Sequence, residues 1–149
     1  MAEVTQRNTT TNQVTFDYDG SRLLIGGNHS FVDRDYENIL GSDETVASGQ
    51  VMGRVSATGH IVPFKSAATD GSQHPVGLLM DGLDAIADGT VITDLSLLIG
   101  GDVRKDKVVL DGTDTLDTVV GGRTVEDLLI ANGNDFAFLE VADRTDYDN

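Results

Sequence analysis

Short apolar runs, each ended by turn-forming residues, fill the middle of this chain and limit the folds that it can adopt. Residues 51–55, 60–64, 76–83 and 91–99 each have the length and composition of a β-strand. Glycine, aspartate and serine between these runs suit tight turns. Pro63 cannot donate a ladder hydrogen bond, so we place it at an edge or at the end of its strand. We therefore predict a mainly β fold, a β-rich α+β domain in which short antiparallel strands form a compact barrel or sandwich.

The clearest strand is the segment VITDLSLLIGG, which begins at residue 91. Apolar residues alternate along one of its faces, and a single threonine interrupts them. We predict that this face lies in the core and that the opposite face is half exposed. The predicted core face consists of Val91, Thr93, Leu95, Leu97 and Ile99.

A helix is predicted near the end of the chain, in the segment RTVEDLLIANG. Thr124 can cap it, the acidic residues of its first turn suit the helix dipole, and Gly133 can end it. Residues 136–141 then read as a closing strand. Residues 26–48 are expected to form a long loop with a short helical turn, which gives one or two short helices in all.

The length of 149 residues suits one domain with one substantial core. Residues 5–13 contain no apolar side chain, so they cannot bury enough surface to offset the entropy lost on ordering. We therefore predict a flexible N-terminal arm (1–14), a single β-rich domain (15–141) and an acidic C-terminal tail (142–149). No apolar stretch approaches the ~18 residues of a membrane span, and we expect no membrane partner.

Acidic residues dominate the charge of the chain. There are 25 Asp and Glu residues against 10 Lys and Arg residues, which gives a formal net charge of -15. Such a surface repels phosphate, so we expect no nucleic-acid partner. In molar salt the Debye length falls to about 3 Å and the self-repulsion is screened. Two interpretations of this charge stay open: a salt-loving host, which we expect, and a soluble protein that is simply acidic.

Three residues in the segment TDGSQHP have the types of a catalytic triad: Asp70, Ser72 and His74. On an extended segment alternate residues lie about 7 Å apart, too far for the ~3 Å hydrogen bonds of a serine–histidine pair. We predict a turn in which Asp70-Gly71 reverses the chain and Ser72 or Gln73 bonds the backbone. No catalytic residue is assigned, and the protein is not expected to be an enzyme.

Carboxylates cluster in three segments, DYDG, DRDYE and DGTDTLD, which begin at residues 17, 33 and 111. None continues into the pattern of a calcium-binding loop, and the three histidines lack metal-ligand spacing. We therefore expect no metal and no cofactor. Two alternatives stay open at this point: a calcium-dependent acidic binding module and, with less support, a small hydrolase that uses paired carboxylates.

Between residues 47 and 110 three motifs follow one another: a G-x-V-[LM]-G strand, a short strand with a proline, and A-x-D-G-S-Q-x-P-V-G-[IL]-L. This order resembles the head decoration proteins of lambda-like tailed phages. The matching residues are Gly49, Val51, Met52, Gly53, Pro63, Ala68, Asp70, Gly71, Ser72, Gln73, Pro75, Val76, Gly77, Leu78 and Leu79.

The resemblance implies a homotrimer on the outer surface of the virion. It would bind the major capsid protein at threefold and quasi-threefold sites of the expanded head and stabilise the shell against packaged DNA. The resemblance also implies an N-terminal arm that orders on the capsid, here Val4, Thr5, Thr9, Thr10, Thr11 and Val14. For the structural turn and a trimer seam the candidates are Pro63, Asp70, Gly71, Pro75, Val76, Gly77 and Leu78.

Overall fold

A computed structural model describes residues 23–25, 29–131 and 136–140. A helix, α1 (Val125–Ala131), and a 3-10 turn, Lys105–Lys107, accompany ten strands in this part of the chain. The strands are β1 (Ser30–Glu37), β2 (Glu44–Val46), β3 (Val51–Arg54), β4 (Ile61–Pro63), β5 (Pro75–Leu79), β6 (Leu83–Ile86), β7 (Val91–Arg104), β8 (Val119–Val120), β9 (Arg123–Thr124) and β10 (Phe136–Leu139).

Five of these strands close into a barrel in the order β7-β1-β4-β3-β5, and β5 pairs again with β7. The β1–β4 contact is parallel and joins Tyr36 to Ile61, whereas the other four contacts are antiparallel. Strand β10 extends the sheet by pairing with β7 in parallel. The prediction of a compact, mainly β barrel or sandwich is therefore confirmed. Of these two architectures the structure has the barrel.

The inside of the barrel is a cluster to which each of the five strands contributes a fully buried side chain. We call it the barrel cluster. Its buried members are Tyr36, Val46, Met52, Ile61, Leu79 and Leu97.

A second cluster lies on the outside of the barrel wall, under α1 and β10. We call it the outer cluster. Neighbouring residues of one strand enter different clusters, as Leu97 and Leu98 do, because successive side chains of a strand point to opposite faces. Both faces of the wall are therefore apolar here. The buried members of the outer cluster are Leu23, Val51, Phe64, Leu78, Leu98, Val103, Leu116, Val125, Leu129 and Phe136.

A bulge in β7 changes which residues face the barrel. The register between β1 and β7 shifts between Arg34 and Tyr36. Opposite this shift Asp94 has a φ of 60°, and its N–H donates to Asp35 Oδ1 at 3.1 Å. An extra residue reverses the alternation of a strand. Before the bulge Ile92 therefore packs against the barrel cluster.

The predicted core face of β7 is correct after the bulge and wrong before it. Leu95, Leu97 and Ile99 belong to or pack against the barrel cluster. Val91, however, is 44% exposed, because Ile92 takes the inward position. The opposite face is not half exposed throughout, since Leu98 is fully buried in the outer cluster.

Residues 26–48 differ from the expected loop with a helical turn, because β1 and β2 occupy most of the described part of this segment. The charged triplet Asp33-Arg34-Asp35 hides the strand, since it breaks the apolar alternation that would indicate one. Tyr36 alone is fully buried on β1. Pairing with both β7 and β4 thus makes this segment a strand despite its weak pattern.

The other local predictions are largely met. Pro63 ends β4, as expected, but β4 lies between β1 and β3 and is not an edge. Thr124 Oγ1 accepts from the Asp127 N–H at 3.1 Å and so caps α1. The predicted helix stop at Gly133 and the domain limits at residues 14 and 141 lie outside the described residues. None of the described helices is long and apolar enough to cross a membrane.

Candidate interaction surface at the Asp70 turn

The segment DGSQHP forms a turn held by its own side chains. Asp70 Oδ1 accepts from the Ser72 N–H at 3.0 Å and from the Ser72 hydroxyl at 2.6 Å. Gln73 Oε1 accepts from the Gly71 N–H at 2.9 Å, as the sequence predicts for a side chain that bonds the backbone. The two bonds from Ser72 stabilise the carboxylate and lower the pKa of Asp70.

Ser72 and His74 do not have the arrangement of a catalytic pair. A hydroxyl has one proton to donate, and that of Ser72 is directed to Asp70. Ser72 is also buried, whereas the His74 side chain is exposed. The geometry is that of a turn, in agreement with the sequence-based prediction.

Gly71 and Gly77 of the predicted turn and seam lie where a Cβ atom would clash with neighbouring backbone. Gly71 has a φ of 107°, and a Cβ atom there would lie 2.7 Å from the Arg54 carbonyl oxygen. A Cβ atom on Gly77 would lie 2.5 Å from the Leu98 carbonyl oxygen. The backbones of β5 and β7 therefore approach closely because residue 77 has no side chain.

The rest of the predicted seam divides into buried and accessible residues. Pro75 and Leu78 are buried within the chain itself, and Leu78 belongs to the outer cluster. Val76 is half buried and packs against the barrel cluster. The buried Pro63 and the exposed Asp70 both line a surface groove, which brings two of the predicted residues together.

We call this groove the Ile39 groove; its volume is about 210 Å³. Two consecutive apolar residues at its edge, Ile39 and Leu40, are 50% and 48% exposed. These two adjacent apolar residues on an acidic surface make the groove a candidate contact site. The lining residues are Ile39, Leu40, Glu44, Val62, Pro63, Lys65, Ala68, Asp70 and Ser72.

The loop that presents Ile39 and Leu40 is fixed by the fully buried Asn38. Its Nδ2 donates to the carbonyl oxygens of Ser42 at 2.7 Å and Ile86 at 2.8 Å, and its Oδ1 accepts from the Leu40 N–H at 2.7 Å. The sequence analysis did not predict that Ile39 and Leu40 form part of a surface site. The available signal was an apolar pair flanked by Asn38 and Gly41, outside any predicted strand.

Beneath the groove a buried polar pair connects it to the barrel cluster. The Tyr36 hydroxyl donates to Glu44 Oε1 at 2.5 Å, and both residues are buried. Burial, together with the bond to Glu44 and its charge, raises the pKa of Tyr36. The phenol is therefore protonated at neutral pH and donates to Glu44 there.

Several of the carboxylates that motivated a calcium site have protein partners. Glu37 Oε1 lies 2.8 Å from His60 Nδ1, and both Asp114 oxygens accept from Ser66, at 2.9 and 2.6 Å. Within residues 23–25, 29–131 and 136–140, no group of three or more His, Asp or Glu side chains is placed to hold a metal ion. Asp17 and Asp19 lie outside the described residues.

The predicted arm residues also lie outside the described residues: Val4, Thr5, Thr9, Thr10, Thr11 and Val14.

Comparison with known protein families decides what kind of protein this is. A model of the family described as bacteriophage lambda head decoration protein D matches residues 10–117, well over half of the chain. The chain belongs to this family. The predicted resemblance is thereby confirmed, and no curated protein matches the chain.

Membership makes this decoration protein a structural protein of a phage and places it on the virion capsid. The match covers the whole barrel and every residue of the Ile39 groove. It ends at Asp117, before the β8–β9 hairpin, α1 and β10. Those last elements still complete the fold, because Val125, Leu129 and Phe136 are buried in the outer cluster.

Proposed function

We propose that this decoration protein binds the major capsid protein as a homotrimer, at threefold and quasi-threefold sites on the outer surface of the expanded head. There it stabilises the shell against the pressure of packaged DNA. The role is one of binding, without a catalytic step or a cofactor. The observation that carries the proposal is the family match over residues 10–117, which includes the complete barrel.

We place the seam between subunits along the Ile39 groove. Ile39 and Leu40 expose apolar surface that an isolated subunit would leave in water. Pro63 and Asp70, expected at the seam from the sequence, line the same groove.

Substitution of Leu40 by aspartate tests this seam. A charge buried in an apolar contact is strongly unfavourable, so Leu40→Asp should convert the trimer to monomers. The matched control is Val119→Asp, since Val119 is 62% exposed on β8 and lies outside the groove. Sedimentation equilibrium measures the mass of both variants. A trimeric Leu40→Asp variant would place the seam elsewhere.

Removal of residues 1–14 tests the role of the arm. The polar and β-branched composition of this segment suits pairing with an edge strand of the capsid protein. We expect the truncated protein to remain trimeric and to lose binding to phage shells stripped of decoration protein. Cosedimentation with shells measures binding, and unchanged binding would remove the arm from the proposal.

The charge of the assembly supports a host that lives at high salt. Three subunits gather three times the charge of -15, and this repulsion is screened in molar salt. We expect the trimer to dissociate and its melting temperature to fall on dialysis into dilute buffer. Sedimentation and melting that do not change between molar and millimolar salt would contradict the halophilic part of the proposal.

A further inference from the structure

A ring of three subunits needs two different contact patches on each subunit. Every contact in such a ring is heterologous, so one patch of a subunit meets a different patch of the next subunit. The Ile39 groove can be only one of the two. The second patch must be a complementary apolar surface elsewhere on the same chain.

The exposed large apolar side chains of the described residues leave one candidate for this second patch. A seam that follows from family membership lies within residues 10–117. Val91 lies at the same corner as the groove, because it pairs with Glu37 at the end of β1. Apart from the two residues at the groove edge, this leaves Phe31, which is 47% exposed. The exposed apolar residues beyond residue 117 are Val119, Ile130 and Leu139.

Phe31 projects from the outer face of the barrel wall. Its pairing partner on β7 is Leu98, whereas the next pair, Val32 and Leu97, faces the barrel cluster. Successive side chains of a strand point to opposite faces, so Phe31 points outward together with Leu98. Leu98 is buried in the outer cluster, but Phe31 belongs to neither cluster. A half-exposed aromatic ring at this place suits the anchor of a protein interface.

Phe31 and the Ile39 groove lie on different parts of the subunit. Strand β1 rises ~3.3 Å per residue, so about 20 Å separate Phe31 from Glu37 at the end of the strand. Ile39 lies beyond that end, in the loop after β1. Phe31 therefore does not fill the groove of its own subunit, and the two patches are distinct, as a heterologous contact requires.

The groove suits an uncharged side chain. The carboxylates of Glu44 and Asp70 have partners within the subunit, since Tyr36 donates to Glu44 and Ser72 donates to Asp70. The Ser72 bonds and, as a smaller effect, the charge of Lys65 lower the pKa of Asp70, so Lys65 acts on a carboxylate of the same groove. The groove volume of about 210 Å³ has room for one aromatic side chain.

We propose that Phe31 of one subunit inserts into the Ile39 groove of the next, and that three such contacts close the ring. The inference rests on the proposed function, because it names the two sides of the seam in the proposed trimer. Burial of the ring against Ile39 and Leu40 removes apolar surface of both subunits from water. This contact holds subunits of net charge -15 together without pairing charges across the seam.

Substitution of Phe31 tests one side of the contact. Phe31→Asp should raise the dissociation constant of the trimer at least a hundredfold, because a carboxylate replaces an apolar side chain in the groove. The matched control is Ile130→Asp, since Ile130 is 42% exposed on α1, and this variant should remain trimeric. Sedimentation equilibrium in molar salt measures the mass. Melting temperatures separate loss of contact from loss of fold.

Cross-linking tests whether the groove receives Phe31. The chain has no cysteine, so single thiols can be introduced next to Phe31 with Asp33→Cys and in the groove with Ala68→Cys. Both substitutions leave Phe31, Ile39 and Leu40 in place. With a short bismaleimide the double variant should give covalent trimers on a denaturing gel, whereas each single variant should give monomers.

The outcomes separate this contact from the proposed function. If the wild type is trimeric and Phe31→Asp is also trimeric, or if the double variant gives no covalent trimer, the contact is wrong and the proposed trimer stands. Covalent dimers of either single variant would also overturn it, since they would join like residues. A wild type that is monomeric in molar salt would contradict the proposed function itself.

Discussion

The barrel cluster and the outer cluster are built from different parts of the chain. The buried members of the barrel cluster all lie between Tyr36 and Leu97. The outer cluster draws on both ends of the described chain, from Leu23 to Phe136. Its members are leucine, valine and phenylalanine, whereas the barrel cluster contains the Tyr36 hydroxyl bonded to Glu44. The barrel cluster thus comes from residues 36–97 and contains a polar pair, whereas the outer cluster draws on residues 23–136 and is apolar.

Local stability can therefore differ between the two sides of the barrel wall. Elements that contribute only to the outer cluster, such as α1 and β10, can separate locally while the barrel stays closed. Loss of the barrel cluster has no such local outcome, because it receives side chains from all five barrel strands.

Truncation of one leucine in each cluster is the strongest test of this comparison. Leu79→Ala and Leu129→Ala should each cost about 2–5 kcal/mol of the free energy of unfolding, since both side chains are fully buried. Hydrogen exchange should differ between them: Leu129→Ala raises exchange mainly in α1 and β10, and Leu79→Ala raises it in all barrel strands. If both variants instead raised hydrogen exchange equally in all elements, the two clusters would unfold as one cooperative unit.

Gly77→Ala tests the wall between the clusters. The added Cβ would approach the Leu98 carbonyl oxygen and the Leu97 side chain, so the variant should lose about 1–3 kcal/mol in urea unfolding. Gly89→Ala is the control, because its Cβ would meet nothing within 4 Å, although its φ of 79° still costs about 1 kcal/mol. If the two variants lost equal stability, the backbones of β5 and β7 would be able to move apart at residue 77 and accommodate the added Cβ.

Tyr36→Phe tests the polar pair that distinguishes the barrel cluster. At neutral pH it leaves Glu44 without its donor and should cost about 1–3 kcal/mol. Because folding raises the pKa of Tyr36, its contribution is complete below the unfolded value near 10 and is lost as pH rises beyond it.

Chemical unfolding between pH 8 and 11 measures this prediction. The wild type should lose more stability than Tyr36→Phe over the alkaline part of the range. The double variant Tyr36→Phe, Glu44→Met removes both polar partners and should recover part of the neutral-pH loss. Parallel pH profiles of the wild type and the single variant would contradict the role of Tyr36.

Asp94→Gly gives the smallest expected effect and tests the bulge that turns Ile92 toward the barrel cluster. Glycine adopts a φ of 60° without the steric cost of a side chain, so we expect a gain of up to about 1 kcal/mol. Ser96→Gly, two residues further along β7 and without a positive φ, should instead lose roughly 0.5–1 kcal/mol. Thermal unfolding measures whether each variant gains or loses stability. If both variants lose stability, the backbone at Asp94 is not strained.

The sequence predicts the parts of the fold in which local pattern and tertiary contacts agree. The Asp70 turn, the Thr124 cap and the core face of β7 after Asp94 are read correctly, because turn chemistry and alternation act over a few residues. The face before Asp94 is misread, since a bulge arises from pairing with a distant strand and leaves no local signature. Strand β1 is missed for a similar reason, because its pairing overrides a charged pattern.

The candidate surfaces follow the same rule. The sequence names Pro63 and Asp70 but not Ile39 and Leu40, since the groove forms only when the loop after β1 meets the loop after β4. Surfaces made by distant segments cannot be read from the pattern of either segment.

The closure of the barrel by β7 also has a consequence for synthesis on the ribosome. Strand β7 is the last barrel strand in chain order, and it supplies the partner edge for both β1 and β5. Until residue 104 has left the exit tunnel, the nascent chain holds two open edges that could join those of neighbouring nascent chains. Ring closure over so long a sequence separation is also slow. Translation speed around β7 should therefore influence how much newly made protein aggregates.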